Sequence, residues 1–310
     1  MNQAQQQTVL VTGASSQLGV FLMPRLLTAG FRVIALSRKG AAGLPDSSSD
    51  LLWVHPRALG IGVDDIPKGL RVQVDILISC GPLELAVEMV RKHHHLERVV
   101  VFSTSSVFSK AQSPDRREND QIAAIVALES ELKTHCERAG LPLLCLRPTL
   151  IYGCGLDRNI SLLAALIRRH GWMPVAGSAT GLRQPVHADD LAATAVEALS
   201  SEQALTLDTP VCGGSTLSYY HMIELIFDSL EKPRRIMKLP PGLLAALAGL
   251  MAKLPAFSGI NREMVRRQNT DLVFDDSPLR QALKYNPCPF KPGLEDYEIP
   301  LTARQYRLPE

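Results

Sequence analysis

Short apolar runs alternate with amphipathic stretches along the first 150 residues of the chain. Thr8 to Thr12 is a β-branched run, a Gly/Ser turn follows, and apolar residues then recur at helical spacing from Leu18 until Gly30. Phe31 to Ser37 is a second short apolar run. The chain therefore opens with a strand, a helix and a strand, and the handedness of such crossovers places both strands in one parallel sheet.

Four further apolar runs predict strands that helices cover on both faces. The runs are continuous rather than alternating, which is typical of a buried parallel sheet. They are Leu51 to His55, Asp75 to Ser79, Val99 to Ser103 and Leu143 to Leu146. Helical stretches at Glu84 to His94 and Ile122 to Ala139 separate several of them. This alternation predicts an α/β fold with a Rossmann-type doubly wound parallel sheet.

The pattern loosens after Gly153, where Gly, Pro and Asn interrupt the helical stretches. We therefore predict two units. Residues 1–152 form a dinucleotide-binding domain to which 184–200 return, whereas 153–183 and 201–310 form a smaller C-terminal substrate lobe.

Three shorter helices are predicted in the second part of the chain, at Ser161 to Arg169, Tyr219 to Leu230 and Leu243 to Ala252. The last of these is almost wholly apolar and lies between Pro241 and Pro255. Its length is well short of the ~20 residues that a spanning helix needs. We interpret it as a core or lobe-packing helix, with an interfacial membrane contact or a dimer contact as the alternative.

The composition favours a small-molecule partner. Apolar residues make up 46% and charged residues 21%, and the net charge of +2 gives no broad positive surface for nucleic acid or an anionic membrane. The six cysteines lack the close spacing of a metal or redox site, and the polar N-terminus lacks the features of a signal peptide. We expect a cytoplasmic protein without a metal site or a transmembrane segment.

The turn after the first strand has the composition of a dinucleotide-binding loop. Gly13 permits a tight turn, Gly19 lets the helix pack close to the strand, and free amides at the helix start can bind a pyrophosphate. Ser16 replaces the central glycine of the pattern, and a merely structural turn is the alternative. The predicted cofactor-binding residues of the loop are Gly13, Ser15, Ser16, Gln17, Leu18 and Gly19.

The end of the second strand distinguishes between cofactors. NAD-binding domains usually carry Asp or Glu there for the ribose hydroxyls, whereas this chain has Ser37, Arg38 and Lys39. A hydroxyl and two cations favour the 2′-phosphate of NADP over NAD. The alternative is that the two cations are solvated surface charges.

Four blocks of sequence resemble the extended, atypical short-chain dehydrogenase/reductases, and specifically the NAD-dependent epimerase/dehydratase family. The blocks are Thr12 to Gly19, Val99 to Phe108, Leu146 to Gly153 and Gln184 to Ala192. The best-known members of this family act on nucleotide sugars. The resemblance covers nearly the whole chain and implies an NAD(P)-dependent epimerase, dehydratase or reductase.

The resemblance also implies roles for residues at the strand ends. Thr104 or Ser105 would hydrogen-bond the substrate oxygen, unless these hydroxyls merely cap a strand. The turn that follows the strand from Asp75 to Ser79 would lie beside the cofactor. Further cofactor-binding candidates are Cys80, Gly81, Pro82, Ser103 and Pro148, and the substrate-binding candidates are Asn159, Arg183, Gln184 and His187.

The chain departs from the family at the proton donor. The family's Tyr and the Lys four residues later lie on the helix before the Arg-Pro strand, but residues 1–151 contain no tyrosine. We expect Lys110, Glu118 or a substrate group to replace the phenol if the protein is an enzyme. The alternative is a non-catalytic NADP(H) binder, a sensor or scaffold. Helix-mediated homodimers occur in the family, so a homodimer is possible.

Overall fold

The computed structural model describes residues 6–37, 50–54, 73–110, 113–157, 159–251 and 262–298. Arg38 and Lys39, predicted to select NADP, lie outside the described residues, and so does Ala252.

Thirteen strands and ten α-helices are assigned within the described residues. The strands are β1 (Thr8–Thr12), β2 (Arg32–Leu36), β3 (Leu51–Val54), β4 (Ile76–Ser79), β5 (Arg98–Phe102), β6 (Leu143–Pro148), β7 (Ile151–Tyr152), β8 (Met173–Ala176), β9 (Leu182–Arg183), β10 (Val186–His187), β11 (Asp208–Val211), β12 (Leu217–Ser218) and β13 (Ile236–Leu239). The helices are α1 (Gln17–Thr28), α2 (Leu83–Lys92), α3 (Ser106–Ser109), α4 (Arg116–Ala139), α5 (Ile160–His170), α6 (Ala188–Ala198), α7 (Tyr219–Ser229), α8 (Pro241–Met251), α9 (Arg262–Arg267) and α10 (Ser277–Ala282).

A seven-stranded parallel sheet lies at the centre, in the order β11-β6-β5-β4-β1-β2-β3. Alternate residues of each strand face opposite layers, because the side-chain period of a strand is two. In β1, Val9 and Val11 pack with α1 and α6, whereas Leu10 packs with α2 and α4. Helices thus cover both faces, and the predicted Rossmann-type α/β fold is confirmed.

The seventh strand of the sheet corrects the predicted domain boundary. β11 pairs with β6 in parallel register, with Thr209 opposite Leu146. Our prediction assigned all of 201–310 to the smaller lobe, and it is wrong for this strand. The returning segment is therefore longer than 184–200, since the chain comes back to the sheet a second time.

Three two-stranded sheets lie outside the central sheet, two of them in the smaller lobe, which also contains most of the remaining helices. β13 pairs in parallel with β8, β10 with β7, and β12 runs antiparallel to β9. The apolar segment predicted from Leu243 forms α8, which packs Leu244 and Ala248 against Ala176 of β8. Within the described residues, no helix combines the length and apolar character needed to cross a membrane.

Candidate functional site

A cavity of about 590 Å³ opens at the carboxyl ends of β5 and β6, between the sheet and the smaller lobe. This is where ligands bind in open parallel sheets, because the loops that follow the strands converge there. Ten of the predicted site residues line it: Gln17, Ser103, Thr104, Ser105, Lys110, Glu118, Pro148, Asn159, Arg183 and Gln184. The structure therefore brings together predicted residues from both parts of the chain.

The glycine loop begins in a left-handed backbone conformation. Gly13 has φ +66°, and a Cβ at this position would lie 2.6 Å from Gly81 N and 2.7 Å from the Cys80 carbonyl oxygen. Gly81 in turn lies close to Gly13, because its own Cβ would be 3.2 Å from Gly13 N. The predicted cofactor turns at Gly13 and Gly81 are thus in direct backbone contact. Packing inside the protein therefore requires a glycine at position 13, in addition to any role of this residue in binding.

Ser16 is the residue that caps the N-terminus of α1. Its hydroxyl oxygen accepts a hydrogen bond from Gly19 N at 3.3 Å, and its carbonyl accepts from Val20 N. A helix leaves its first four amides without intrahelical partners, so the amides of Gln17 and Leu18 are those that an anion could still use. A second hydroxyl pair, Ser15 Oγ to Ser37 Oγ at 3.2 Å, ties the loop to the end of β2.

Gln17 carries an unsatisfied buried acceptor at the cavity wall. Its side-chain oxygen Oε1 is buried without a hydrogen-bond partner among the described residues, although Gln17 itself lines the cavity. Such an acceptor costs on the order of 1–3 kcal/mol unless a ligand or water donates to it. The loop thus offers two amides and one acceptor, and these groups fit a dinucleotide.

Cys80 is not suited to be a nucleophile. Burial raises the pKa of its thiol far above the ordinary value, and its amide donates to Thr12 O at 2.9 Å. Cys80 therefore shapes the turn next to Gly13. Pro82 follows as the residue that precedes α2.

Ser103 is committed to a buried ion-pair network below the cavity. Its hydroxyl donates to Glu129, which also accepts from Arg147. Arg147 in addition donates to Asp208 of β11 at 2.7 Å. The Arg147 and Glu129 side chains are only 8% and 12% exposed, which places the pair in the interior. Ser103 thus links the end of β5 to α4, so its hydroxyl is not free for a cofactor in this arrangement.

Thr104 and Ser105 present hydroxyls at the cavity wall. Thr104 Oγ1 accepts from Ser106 N at 3.1 Å, which leaves its hydrogen able to reach a ligand oxygen. Ser105 is buried and its amide donates to Pro148 O. Thr104 also fits the alternative of a strand-end cap, since the same oxygen caps the first turn of α3.

Glu118 is the most strongly perturbed carboxyl of the cavity. Arg267 Nη1 and Nη2 donate to it at 2.8 and 3.0 Å, Ser113 Oγ donates at 2.7 Å, and Lys110 Nζ lies 3.5 Å away. The hydrogen bonds from Arg267 lower the pKa of Glu118 to about 2, against the opposing effect of burial. An ionised carboxylate cannot donate a proton, so the low pKa argues against Glu118 as the replacement for the missing phenol. Glu118 instead ties α4 to α9.

The ion pair between Glu118 and Arg267 predicts that the protein loses stability at acid pH. The pKa of Glu118 is lower in the folded protein than the ordinary 4.5, so its stabilisation is complete above 4.5 and is lost as the pH falls towards 2. We expect Glu118→Gln to lower the free energy of unfolding by roughly 3 kcal/mol at pH 7 and by little at pH 2.5. Urea denaturation of both proteins across this range measures the difference. If the difference in unfolding free energy between the two proteins is the same at both pH values, the prediction is contradicted.

Arg183 and Gln184 face the cavity with their polar groups already used. Arg183 donates to the carbonyls of Leu182, Thr270 and Arg267 at 2.6–2.8 Å, and burial lowers its pKa. The Gln184 amide exchanges hydrogen bonds with both backbone groups of Phe274. Sequence reasoning could not find these partners, because they lie about 90 residues further along the chain.

His187 does not line the cavity, so its substrate-binding role stays a prediction. Its Nδ1 accepts from Asp189 N at 3.1 Å and caps α6, so the proton is assigned to Nε2, which donates to Asp296 at 3.0 Å. The ring also packs edge-on against Tyr152. Its neighbour Gly153 has φ +119°, and a Cβ there would collide with the His187 ring. The histidine therefore fixes how the lobes meet.

The cavity also has polar lining residues that the predicted site residues do not include, among them Asp157 and Tyr219. Asp157 Oδ1 accepts from the amides of Asn159 and Ser161 at 3.0 and 2.9 Å, so it caps the helix that Asn159 precedes. Tyr219 lies at the cavity with Arg183 stacked over its ring at 5.5 Å, and burial raises its pKa to about 12. The described residues contain no group of His, Cys, Asp and Glu suited to a metal ion.

Residues 81–208 match the model of the NAD dependent epimerase/dehydratase family. The match agrees with the resemblance predicted from the sequence, over 128 of the 310 residues. The matched segment contains Thr104, Ser105 and Lys110, and it ends at the first residue of β11. It begins at Gly81, after β4, and does not include the glycine loop at Gly13.

Solved structures of epimerases have the same fold as this chain. An epimerase from Methanothermobacter thermautotrophicus superposes with a TM-score of 0.70 at 16% identity, covering 97% of this chain and 92% of that one. The UDP-glucuronic acid 4-epimerase of Bacillus cereus, in complex with UDP-glucuronic acid and NAD, gives a TM-score of 0.64 at 16% identity, with 94% and 98% covered.

A curated relative carries a different description. Subunit 9 of the NADH dehydrogenase [ubiquinone] 1 alpha subcomplex, a mitochondrial protein of Arabidopsis thaliana, is 23% identical over 300 residues. The similarity covers 87% of this chain and 71% of the relative. The chain is thus similar in fold to solved epimerases and in sequence to a protein described as a subunit.

Proposed function

We propose that the protein is an NADP(H)-dependent epimerase, dehydratase or reductase of a polar carbonyl or nucleotide-sugar metabolite. The observation that carries the proposal is continuity: the glycine loop reaches through Gln17 into the same cavity that Thr104 and Ser105 line. A cofactor on the loop and a substrate beside these hydroxyls would then share one space. A cytoplasmic location accompanies the proposal.

The loop residues would hold the dinucleotide and the strand-end residues would hold the substrate. The dinucleotide would accept hydrogen bonds from the amides of Gln17 and Leu18 and would donate one to Gln17 Oε1. Its nicotinamide would supply the hydride. Thr104 would donate a hydrogen bond to the substrate oxygen and polarise its carbonyl. Asn159 and Lys110 would bind further polar groups of the substrate.

The proton donor is the weak part of this site. An alcohol is too weak an acid to stand in for a Lys-activated phenol, and a positioned donor is typically worth ~10²–10⁴-fold in rate. Lys110 is the remaining candidate on the predicted side of the cavity, because Glu118 is held ionised. Tyr219 supplies a protonated phenol from the smaller lobe. We expect slow turnover of common nucleotide sugars.

NADP(H) should bind more tightly than NAD(H). Arg38 and Lys39 follow β2 without a nearby acid in sequence, and losing one charge-assisted phosphate contact costs roughly 1.5–3 kcal/mol, or about tenfold to a hundredfold in affinity. Titration of wild type and Arg38→Ala with both cofactors checks this. Arg38→Ala should weaken NADPH binding and leave NADH binding unchanged. Equal affinity of the wild type for the two cofactors would contradict the preference.

Catalysis should depend on the Thr104 hydroxyl. We expect Thr104→Ala to lower NADPH-dependent carbonyl reduction about tenfold, the effect of losing one or so kcal/mol of hydrogen bonding, and Thr104→Ser to retain most of it. Rates measured over a panel of carbonyl substrates, with Lys110→Ala and Tyr219→Phe alongside, distinguish the donors. Thr134→Ala, an exposed α4 hydroxyl that bonds Ser130 O, is the matched control. Equal rates in Thr104→Ala and wild type would contradict the assignment.

A non-catalytic NADP(H)-binding protein is the second candidate. Two observations favour it: residues 1–151 have no tyrosine, and one relative is described as a subunit rather than as an epimerase. Tight NADPH binding without turnover of any substrate in the panel would support this candidate. A helix-mediated homodimer is compatible with either function.

A further inference from the structure

Five large apolar side chains are exposed together on the smaller lobe. They are Trp172, Met237, Leu243, Leu247 and Leu250, at 42%, 49%, 51%, 41% and 64% exposure. Among the described residues only nine large apolar side chains are exposed, so more than half of them belong to β8, β13, α8 and their immediate flank. We call this set the α8 surface.

The strand register explains why these residues share one side. Met173 and its partner Ile236 face the core of the smaller lobe. The neighbouring residues Trp172 and Met237 therefore point to the opposite face of this two-stranded sheet. That face carries α8, which packs there through Leu244 and Ala248. The leucines of the α8 surface repeat at helical spacing on another side of α8, where no described element covers them.

The segments that carry the α8 surface contain cations and no carboxylate, and the nearby Glu263 of α9 is paired with Arg266. Residues 160–188 and 232–262, which contain β8, β13 and α8, include no Asp or Glu. Exposed cations of these segments include Arg169, Arg235 and Arg262. Arg262 lies directly against Gly249 of α8, since a Cβ there would collide with its guanidinium. The net charge of the whole chain hides this local excess of cations.

We propose that the α8 surface binds an anionic lipid bilayer peripherally. Leucines on an in-plane helix enter the boundary between headgroups and acyl chains, an aromatic residue sits at the interface, and flanking cations attract anionic headgroups. A protein partner fits less well, because protein interfaces carry about one hydrogen bond per 100–200 Å². The residues of α8 are Pro, Gly, Leu, Ala and Met only and offer no polar side chain.

Flotation of the full-length protein with vesicles tests the proposal. We expect binding to phosphatidylcholine vesicles that contain phosphatidylglycerol, little binding to phosphatidylcholine alone, and weakening by salt. Leu247→Glu/Leu250→Glu should lower the partition coefficient roughly tenfold or more. Arg169→Glu/Arg235→Glu should lower it for anionic vesicles. Trp172 emission should shift to shorter wavelength on binding, while the buried Trp53, 4% exposed, contributes little change.

Val126→Glu is the matched control, because Val126 is 47% exposed on α4. It should bind vesicles like the wild type, and equal thermal melting of all variants checks their fold. Absence of vesicle binding would overturn the proposal, and so would equal binding of Leu247→Glu/Leu250→Glu. A wild-type dimer that Leu247→Glu/Leu250→Glu converts to monomer, without any vesicle binding, would assign the surface to a second copy instead. None of these results depends on cofactor binding.

Discussion

Gly13→Val is expected to abolish NADPH binding and to lower the free energy of unfolding by at least ~3 kcal/mol. The left-handed φ of +66° is unfavourable for a β-branched residue. The added Cβ would also press on the backbone of Cys80 and Gly81, which cannot move like the end of a flexible side chain. The sequence alone predicts a collision with the turn or with the pyrophosphate, and the structure shows that the backbone of Cys80 and Gly81 is what the added Cβ would meet inside the protein.

Gly30→Val is the control that separates backbone strain from the collision of the added Cβ. Gly30 has φ +83° but nothing within 4 Å of an added Cβ, so it has the backbone strain without the collision. We expect Gly30→Val to be the milder variant and to bind NADPH normally, as measured by urea denaturation and fluorescence titration. Unchanged NADPH affinity in a folded Gly13→Val protein would refute the loop as the cofactor site.

Arg147→Leu should lower the free energy of unfolding by roughly 3–5 kcal/mol, because it leaves Glu129 as an uncompensated buried carboxylate. Asp208, the second partner of Arg147, has a side chain that is 52% exposed and can stay solvated. The loss should therefore come mainly from Glu129. Ser103, which donates to Glu129, would remain as its only strong partner among the described residues.

The double variant Glu129→Leu/Arg147→Leu tests whether the loss of stability in Arg147→Leu comes mainly from Glu129. Replacing both members of a buried pair by apolar residues is often close to neutral, so the double variant should recover much of the stability lost in Arg147→Leu. Urea denaturation of the two single variants and the double variant gives the coupling energy. A double variant no more stable than Arg147→Leu would mean that the arginine acts through its packing on Phe108, whose ring lies 5.5 Å from the guanidinium.

The buried strands were predictable because burial on both faces leaves a continuous apolar run, as in Val99 to Phe102. β11 was not predicted, because its sequence is not a continuous apolar run. Its sequence begins with Asp208 and contains Pro210, which lacks an amide hydrogen and is tolerated because β11 is an edge strand. The first turns of α4 were also missed, since they are charged. Asp115, whose side chain caps Arg117 N, was the available signal.

The candidate site was predictable where its residues follow strands. Thr104 and Ser105 end β5, and the strand ends of a parallel sheet meet at one edge. Pairings across the chain were not predictable, because no local pattern joins Glu118 to Arg267, 149 residues away. The roles of Arg183 and Gln184 depend on such partners, so a family motif assigned them to the substrate while the fold uses their polar groups internally.

The position of β11 bears on synthesis of the chain. β6 can pair with β5 as soon as residue 148 has left the ribosome, but its other edge stays open until Asp208–Val211 has followed. At ~5–20 residues per second this takes several seconds, during which the edge can pair with another nascent chain. Arg147 on the open strand lacks its Asp208 partner for the same interval. The late strand thus covers the open edge of β6 and gives Arg147 its second acidic partner in one event.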